Sequence, residues 1–236
     1  MIVCRSAAEL ERLARVNALV ARVLAELKAM IRPGVTTAEI DALAETRLRE
    51  AGAEPAFKGY HGYPATICAS VNEQVVHGIP SERKLRDGDI VSIDLGAKLD
   101  GFYGDSAVTV AVGAVSPEAT RLLKVTEEAL GEALSVVRAG ARLSDIGAAV
   151  QRHVEAHGFS VVREFVGHGI GTTLHEDPQI PNYGTPGRGP RLAEGMVLAI
   201  EPMVNMGQAA VKVLGDGWTA VTKDGSLSAH FEHTVA

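Results

Sequence analysis

Cysteine is almost missing from this chain: Cys4 and Cys68 are the two in 236 residues. Two thiols cannot staple a domain of this size. With no signal-peptide pattern at the start, they read as reduced thiols of a cytoplasmic protein. Aromatic side chains are equally scarce at 4%, so any aromatic cluster draws on a small stock. No apolar run reaches the ~18 residues of a membrane span. An excess of positive charge is lacking too. The formal net charge is −6, which leaves no basic footprint for sequence-specific nucleic acid binding. What remains, 46% hydrophobic and 22% charged residues, is the composition of a globular chain long enough to bury a substantial core.

Leu10, Leu13, Val16, Val20, Leu24 and Leu27 recur at three- and four-residue steps, which predicts one long amphipathic helix over 7–30. Pro33-Gly34 stops it. Thr36 or Thr37 then caps a second helix with Glu39 in its first turn and Gly52 just beyond its end. After a loop rich in Gly, Tyr and Pro at 55–64, strands are predicted at Ile67–Val71, Ile90–Leu95 and Phe102–Val112. The second half repeats this order, with helices over 117–138 and through Asp145-Ile146 to Ala156-His157-Gly158. Arg138-Ala139-Gly140 falls on Arg32-Pro33-Gly34 at an offset of 106, and Glu201 falls on Asp94 at 107. One long offset means two related halves, about 1–112 and 113–236, not a solenoid. Strand runs joined by short turns favour antiparallel pairing. The expected fold is therefore one α+β domain of two pseudo-symmetric halves with a shared sheet. The loop at 181–190 is the one long punctuated stretch, and loops of that length tend to be functional or mobile.

Alternation puts Asp94 on one strand face with Ser92 and Ile90. Asp105 follows in the next strand. A four-residue turn would pair the two acids directly, and a two-residue Asp-Gly turn would make them diagonal neighbours on one face. Either they are exposed and solvated, or a cation sits between them, because opposed carboxylates repel and burial worsens the repulsion. Glu201 follows the apolar run Met196–Ile200, and symmetry points it at the same spot as Asp94. Glu232 lies in an alternating stretch over 229–235 that predicts a strand. His168 sits in Gly167-His168-Gly169-Ile170-Gly171, where glycine allows close backbone approach. Four carboxylates and one imidazole carry −4, which two divalent cations would balance. Such donors suit Mn, Fe, Co or Zn, and two ions about 3.5–4 Å apart make water nucleophilic at neutral pH.

Several segments together resemble a type I methionine aminopeptidase. They are Lys58-Gly59-Tyr60-His61-Gly62-Tyr63-Pro64, Val71-Asn72-Glu73-Gln74-Val75-Val76-His77-Gly78-Ile79-Pro80, Asp94-Leu95-Gly96, Gly101-Phe102-Tyr103-Gly104-Asp105, the glycine run around His168, His175-Glu176-Asp177-Pro178, Glu201-Pro202 and Phe231-Glu232-His233-Thr234. The resemblance implies the pita-bread fold and a single catalytic domain that removes the initiator methionine from nascent proteins, favouring a small second residue. It implies two divalent metal ions, Co, Mn, Fe or Zn: Asp94 on one, His168 and Glu201 on the other, Asp105 and Glu232 on both. Glu201, His77 and His175 then carry the catalysis. Tyr60, Tyr63, Cys68, Leu174 and Trp218 form the wall that reads methionine. Leu174 stands where many type I enzymes carry Phe. The partners implied are N-terminal Met peptides and a transient ribosome contact, for a cytoplasmic monomer that touches no membrane.

The remaining histidines read as structural. His153 and His157 have i, i+4 spacing, but Val154 follows the first where the zinc-peptidase pattern needs Glu. They are expected to be surface residues near a helix C-terminus, where the dipole favours them. His61 and His233 are expected to support the site without acting in it. Cys68 has no base beside it in sequence and reads as a small apolar wall residue.

Overall fold

A computed structural model describes residues 1–236. Helix α1 (Ala7–Met30) matches the predicted span and buries Leu13, Val16, Val20, Leu24 and Leu27. Ser6 caps it, with its hydroxyl and the Glu9 carboxylate exchanging hydrogen bonds with each other's N–H groups, so two of the orphan donors are satisfied. Helix α2 (Thr37–Glu50) is capped by Thr36. The Thr37 hydroxyl instead donates to the Ser81 carbonyl at 3.0 Å.

The first half continues through β1 (Glu54–Pro55), β2 (Ile67–Val71), β3 (Gln74–Val76), β4 (Ile90–Leu99) and β5 (Phe102–Ala111). Strand β4 runs four residues past the expected Leu95 because a two-residue turn joins it to β5. Asp100 at φ 51° and Gly101 at φ 84° both take the left-handed region, which matches strand twist at a tight hairpin. Leu99 therefore pairs with Phe102, and the register runs unbroken to Ile90↔Ala111.

In the second half come α3 (Pro117–Val136) and α4 (Leu143–Ala156). Helix α3 stops two residues short of 138, where Val137 turns extended and its N–H closes on the Leu134 carbonyl. Both ends of α4 lie 106 residues after those of α2. The bridge Thr36↔Lys84 before α2 recurs as Arg142↔Arg191 before α4. Strands β6 (Ser160–Val161), β7 (Gly167–Gly169), β8 (Glu176–Ile180), β9 (Leu198–Ile200), β10 (Met203–Asn205), β11 (Val211–Val213), β12 (Ala220–Thr222), β13 (Ser228–His230) and β14 (Glu232–Val235) complete the chain.

Stretch 229–235 is thus two strands, not one. It breaks at Phe231, so that β13 pairs with β10 while β14 enters the main sheet between β5 and β9. That sheet has eight strands in the order β1-β4-β5-β14-β9-β7-β8, with β2 also on β4, and every pairing is antiparallel. Two three-stranded sheets flank it. One of them contains the β11–β12 hairpin, which hydrophobic alternation had not marked. One apolar core joins α1 and α2 to β2 and β4, and a second joins α3 and α4 to β9 and β10. The pita-bread architecture leaves the opposite face of the sheet for chemistry.

Candidate metal centre

Register places the acids. On β4, β5 and β14, Asp94 pairs with Ala107 and Ala107 with Glu232, so Asp94 and Glu232 flank a small residue on one face. Asp105, two residues before Ala107 on β5, is diagonal to Asp94; the two-residue turn decides this. His233 pairs with Ile200, and continuing that register by one residue sets Glu201 opposite Glu232, just past the end of β9. His168 pairs with Ala199, two residues from Glu201 and on the same face. Five side chains from five strand segments thereby converge.

His168 is held there by glycine on both sides. A Cβ at Gly167 would lie 2.4 Å from the Ala199 carbonyl oxygen, and one at Gly169 would lie 2.1 Å from that of Asp177. Only bare backbone fits between β8 and β9. The His168 Nδ1–H donates to the Gly169 carbonyl at 2.9 Å, which leaves the Nε2 lone pair free and aimed at Glu201 Oε1, 3.6 Å away.

No cation neutralises these acids: the imidazoles beside Glu201, those of His168 and His230, are kept neutral by burial. None of the four carboxylates pairs with Lys or Arg, and Oδ1 of Asp94, Oδ1 of Asp105 and Oε1 of Glu232 are buried with no hydrogen-bond partner. Burial pushes the Asp94 carboxyl up to about 7. Burial first, and then their mutual repulsion, pushes Asp105, Glu201 and Glu232 well above the ordinary carboxylate range. One donor atom from each of Asp105, His168 and Glu232 lies within 4.8 Å of the others. Orphaned buried oxygens around a free imidazole nitrogen fit a divalent cation, since an unpaired buried charge is otherwise prohibitive.

A cavity of about 160 Å³ gathers all twelve residues singled out in the sequence. Asp94, Asp105, His168, Glu201 and Glu232 form one end; Tyr60, Tyr63, Cys68, His77, Leu174, His175 and Trp218 form the rest. At that size it suits one side chain, being smaller than the ~300 Å³ at which drug-sized sites begin. Tyr63 is buried and its hydroxyl serves the Ile67 and Gly78 carbonyls at 3.0 Å each. Its ring meets Trp218 edge-on at 5.1 Å. Asp216 holds Trp218 by accepting from its backbone N–H at 2.8 Å. Cys68 sits opposite Asp94 on β2, and burial pushes its thiol up, so it stays a neutral wall.

Two histidines stand over this cavity. His77 takes a left-handed φ of 60°, and Gly78 beside it approaches β2 so closely that a Cβ would lie 2.4 Å from the Ala69 carbonyl oxygen. Burial lowers His77 to about 4, so its ring is neutral. The loop bearing Leu174 and His175 is tied by Glu176, which accepts from the Thr172 and Thr173 N–H groups at 2.8 and 3.1 Å and pairs with Arg5. His175 Nδ1 lies 2.8 Å from the Tyr60 hydroxyl, and burial lowers its pKa as well.

The profile of metallopeptidase family M24 matches residues 11–236. The chain belongs to this family. Among its M24 relatives, methionine aminopeptidase 1 of Bacillus subtilis is 56% identical over 236 residues, covering 100% of this chain and 95% of the relative. The crystal structure of methionine aminopeptidase from Rickettsia prowazekii superposes with a TM-score of 0.99 at 42% identity, covering 100% of this chain and 96% of that one. Prolidase from Pyrococcus furiosus, at 22% identity and a TM-score of 0.79 over 99% of this chain and 62% of its own, shows the shared fold alone.

Four residues at this M24 site escaped the sequence reading. Phe57 lines the cavity, and a Cβ at Gly96 would lie 2.5 Å from its ring. Phe165 packs edge-on against His77 at 5.4 Å. Fully buried Asn182 donates to the Glu201 carbonyl at 2.9 Å, and His230 Nε2 stands 3.7 Å from Glu201 Oε2. Of these, Asn182 falls in the flagged loop at 181–190 and His230 in the expected strand over 229–235, but neither position alone points to the site.

Proposed function

We propose that this protein removes the N-terminal methionine of nascent chains by metal-assisted hydrolysis, favouring a small second residue. The observation that carries the reading is one cavity with a five-ligand acidic end and a methionine-sized apolar end. Relatives named methionine aminopeptidase at 42–56% identity support it.

Two divalent ions, of Mn, Fe, Co or Zn, suit the donor set. Asp94 would hold one, His168 and Glu201 the other, and Asp105 and Glu232 both. When bound, such ions polarise the scissile carbonyl and activate water at neutral pH. The protein's own groups do the rest. The apolar wall seats the methionine side chain and fixes which bond lies over the acids. Glu201 accepts a proton from the attacking water at a carboxylate oxygen. His175, neutral and oriented by Tyr60, donates from Nε2 toward the carbonyl oxygen, where negative charge develops. His77, whose buried ring is fixed by Phe165 and Trp218, faces the scissile amide and assists the departing amine.

Under this reading the substrates are nascent chains in the cytoplasm, met during transient ribosome contact by a monomeric enzyme made of one domain. Incubating the purified protein with Met-Ala-Ser and Ala-Pro-Ala, with and without chelator, tests the activity. Methionine release from the first alone, abolished by chelator, is the expected result. Cleavage of the proline peptide, or chelator-insensitive release, overturns it.

A further inference from the structure

The structure assigns a second metal-binding site, one that shares no residue with the cavity, to Glu128 of α3 and His153 and His157 of α4. The expected ion is a borderline divalent cation such as Zn²⁺, held by two imidazoles and one carboxylate with water completing its shell.

His153 lies in the last turn of α4 and His157 caps it, at the helix C-terminus as expected, but both are half-buried. They stack on the face of α4 that meets α3, with ring centroids 4.5 Å apart and planes inclined by 41°. His157 Nδ1 lies 2.8 Å from the His153 carbonyl. An N–H there donates to that oxygen and leaves the Nε2 lone pair outward, the orientation a ligating histidine needs. His153 Nε2 is buried with no hydrogen-bond partner, which is costly unless something else binds it. It stands 3.4 Å from Glu128 Oε2. Tetrahedral zinc with bonds of ~2.0–2.1 Å sets its ligands about 3.3–3.4 Å apart, so this pair is already at ligand spacing. One donor atom from each of Glu128, His153 and His157 lies within 4.8 Å of the others.

Arg47 of α2, 106 residues before His153, ties α2 to α1 through Glu26 at 2.6 Å. In the second half the corresponding tie is shifted by one residue, with Arg152 of α4 reaching Glu132 of α3, the repeat counterpart of Glu26, at 3.9 Å. An ion between His153, His157 and Glu128 would add a second link between the two helices. Nearby cations temper its affinity. Lys124 Nζ is 3.8 Å from Glu128 Oε1, leaving Oε2 for the ion, and the Arg121 guanidinium donates to the His157 carbonyl.

The test uses the full chain, stripped with chelator and then titrated with Zn²⁺ in equilibrium dialysis. Wild type should bind one equivalent more than His157→Ala, and Glu128→Gln should weaken that equivalent at least tenfold. Circular dichroism verifies that both variants are folded. Should either fail to fold, ¹⁵N spectra of wild-type imidazoles decide, since zinc should shift the Nε2 signals of His153 and His157. Equal stoichiometry in folded wild type and variants, or unshifted signals from both rings at tenfold excess zinc, would overturn the site.

Discussion

The Tyr60 hydroxyl lies 2.8 Å from Nδ1 of His175, with the two rings 5.2 Å apart. Burial keeps the phenol protonated and the imidazole neutral. With the phenol donating to Nδ1, the single imidazole proton stays on Nε2, where a developing oxyanion needs it. Tyr60→Phe keeps the ring and removes this anchor. A net hydrogen bond is worth ~0.5–1.5 kcal/mol, so kcat should fall about two- to tenfold with KM little changed. Steady-state kinetics on a methionyl peptide measure this, and an unaltered kcat would remove His175 from the role given to it.

Asp105 is buried among other acids with Oδ1 unpaired. Asp105→Asn preserves shape but removes the negative charge and one of the two oxygen donors of a residue proposed to serve both ions. Losing groups that merely orient metal ligands costs ~10–100-fold, so activity should drop by more than about 100-fold and bound metal below one equivalent by elemental analysis. Wild-type metal content in the folded variant would exclude the shared-ligand arrangement.

The buried acids also set a pH dependence. Asp94 is raised to about 7 in the fold, against about 4 in an unfolded chain. The metal-free fold therefore holds protons that the unfolded chain has released. That contribution is full below about pH 4 and is lost as pH rises through 7. Burial acts oppositely on histidine: His168 and His77 fall to about 4 and His230 to about 3. They weaken the fold on acidification below ~6.5 and are neutral in both states well above it. Metal-free protein should thus melt at progressively lower temperature from pH 6.5 to 8.5, and saturating metal should flatten the trend. A chelated protein that gains stability over that interval contradicts the buried-acid account.

Gly169 offers a steric test of how His168 is placed. A methyl there would lie 2.1 Å from the Asp177 carbonyl oxygen, a backbone atom with nowhere to go. Overpacking of this kind costs ~1–3 kcal/mol, or roughly 2–10 °C of melting temperature in a chain this long. Gly169→Ala should therefore lower the melting temperature and weaken metal binding together. A stable variant with intact metal affinity would mean that β7 does not depend on this contact.

Much of this arrangement is legible in the sequence because it depends on periodicity and punctuation. Helix α1 is visible in its leucine and valine spacing, and β4 and β5 in their β-branched runs. The relation of Asp94 to Asp105 is not, since it depends on whether the turn holds two residues or four, and Asp100 must accept a left-handed φ for the shorter one. The break at Phe231 is invisible for a related reason. Alternation reports a strand but not which sheet each part joins, and Glu232 reaches the acids only because β14 changes sheets. Asn182 and His230 serve the site from positions set by tertiary packing, to which local patterns are blind. His153 and His157 show the same limit: their spacing puts them on one helix face, but only the approach of α3 brings Glu128 to them.

The pocket wall makes a final, separable claim. Leu174 is almost fully buried, and Tyr63, Trp218 and Cys68 close around the same small cavity. None of these four side chains offers a charge, and the Tyr63 hydroxyl is already committed to two carbonyls. The wall therefore reads size and apolarity, with a sulfur–aromatic bonus of ~0.3–1.5 kcal/mol for a thioether. Replacing sulfur by methylene forfeits at most that bonus, and ~1.4 kcal/mol is a factor of ten. Norleucyl peptides should be cleaved within about tenfold of methionyl ones in kcat/KM. Glutamyl peptides should fall at least a hundredfold below, because the cavity has no partner for a buried charge and its far end is already acidic. Competition assays with matched tripeptides decide this, and a glutamyl substrate as good as the norleucyl one would show that the first side chain binds elsewhere.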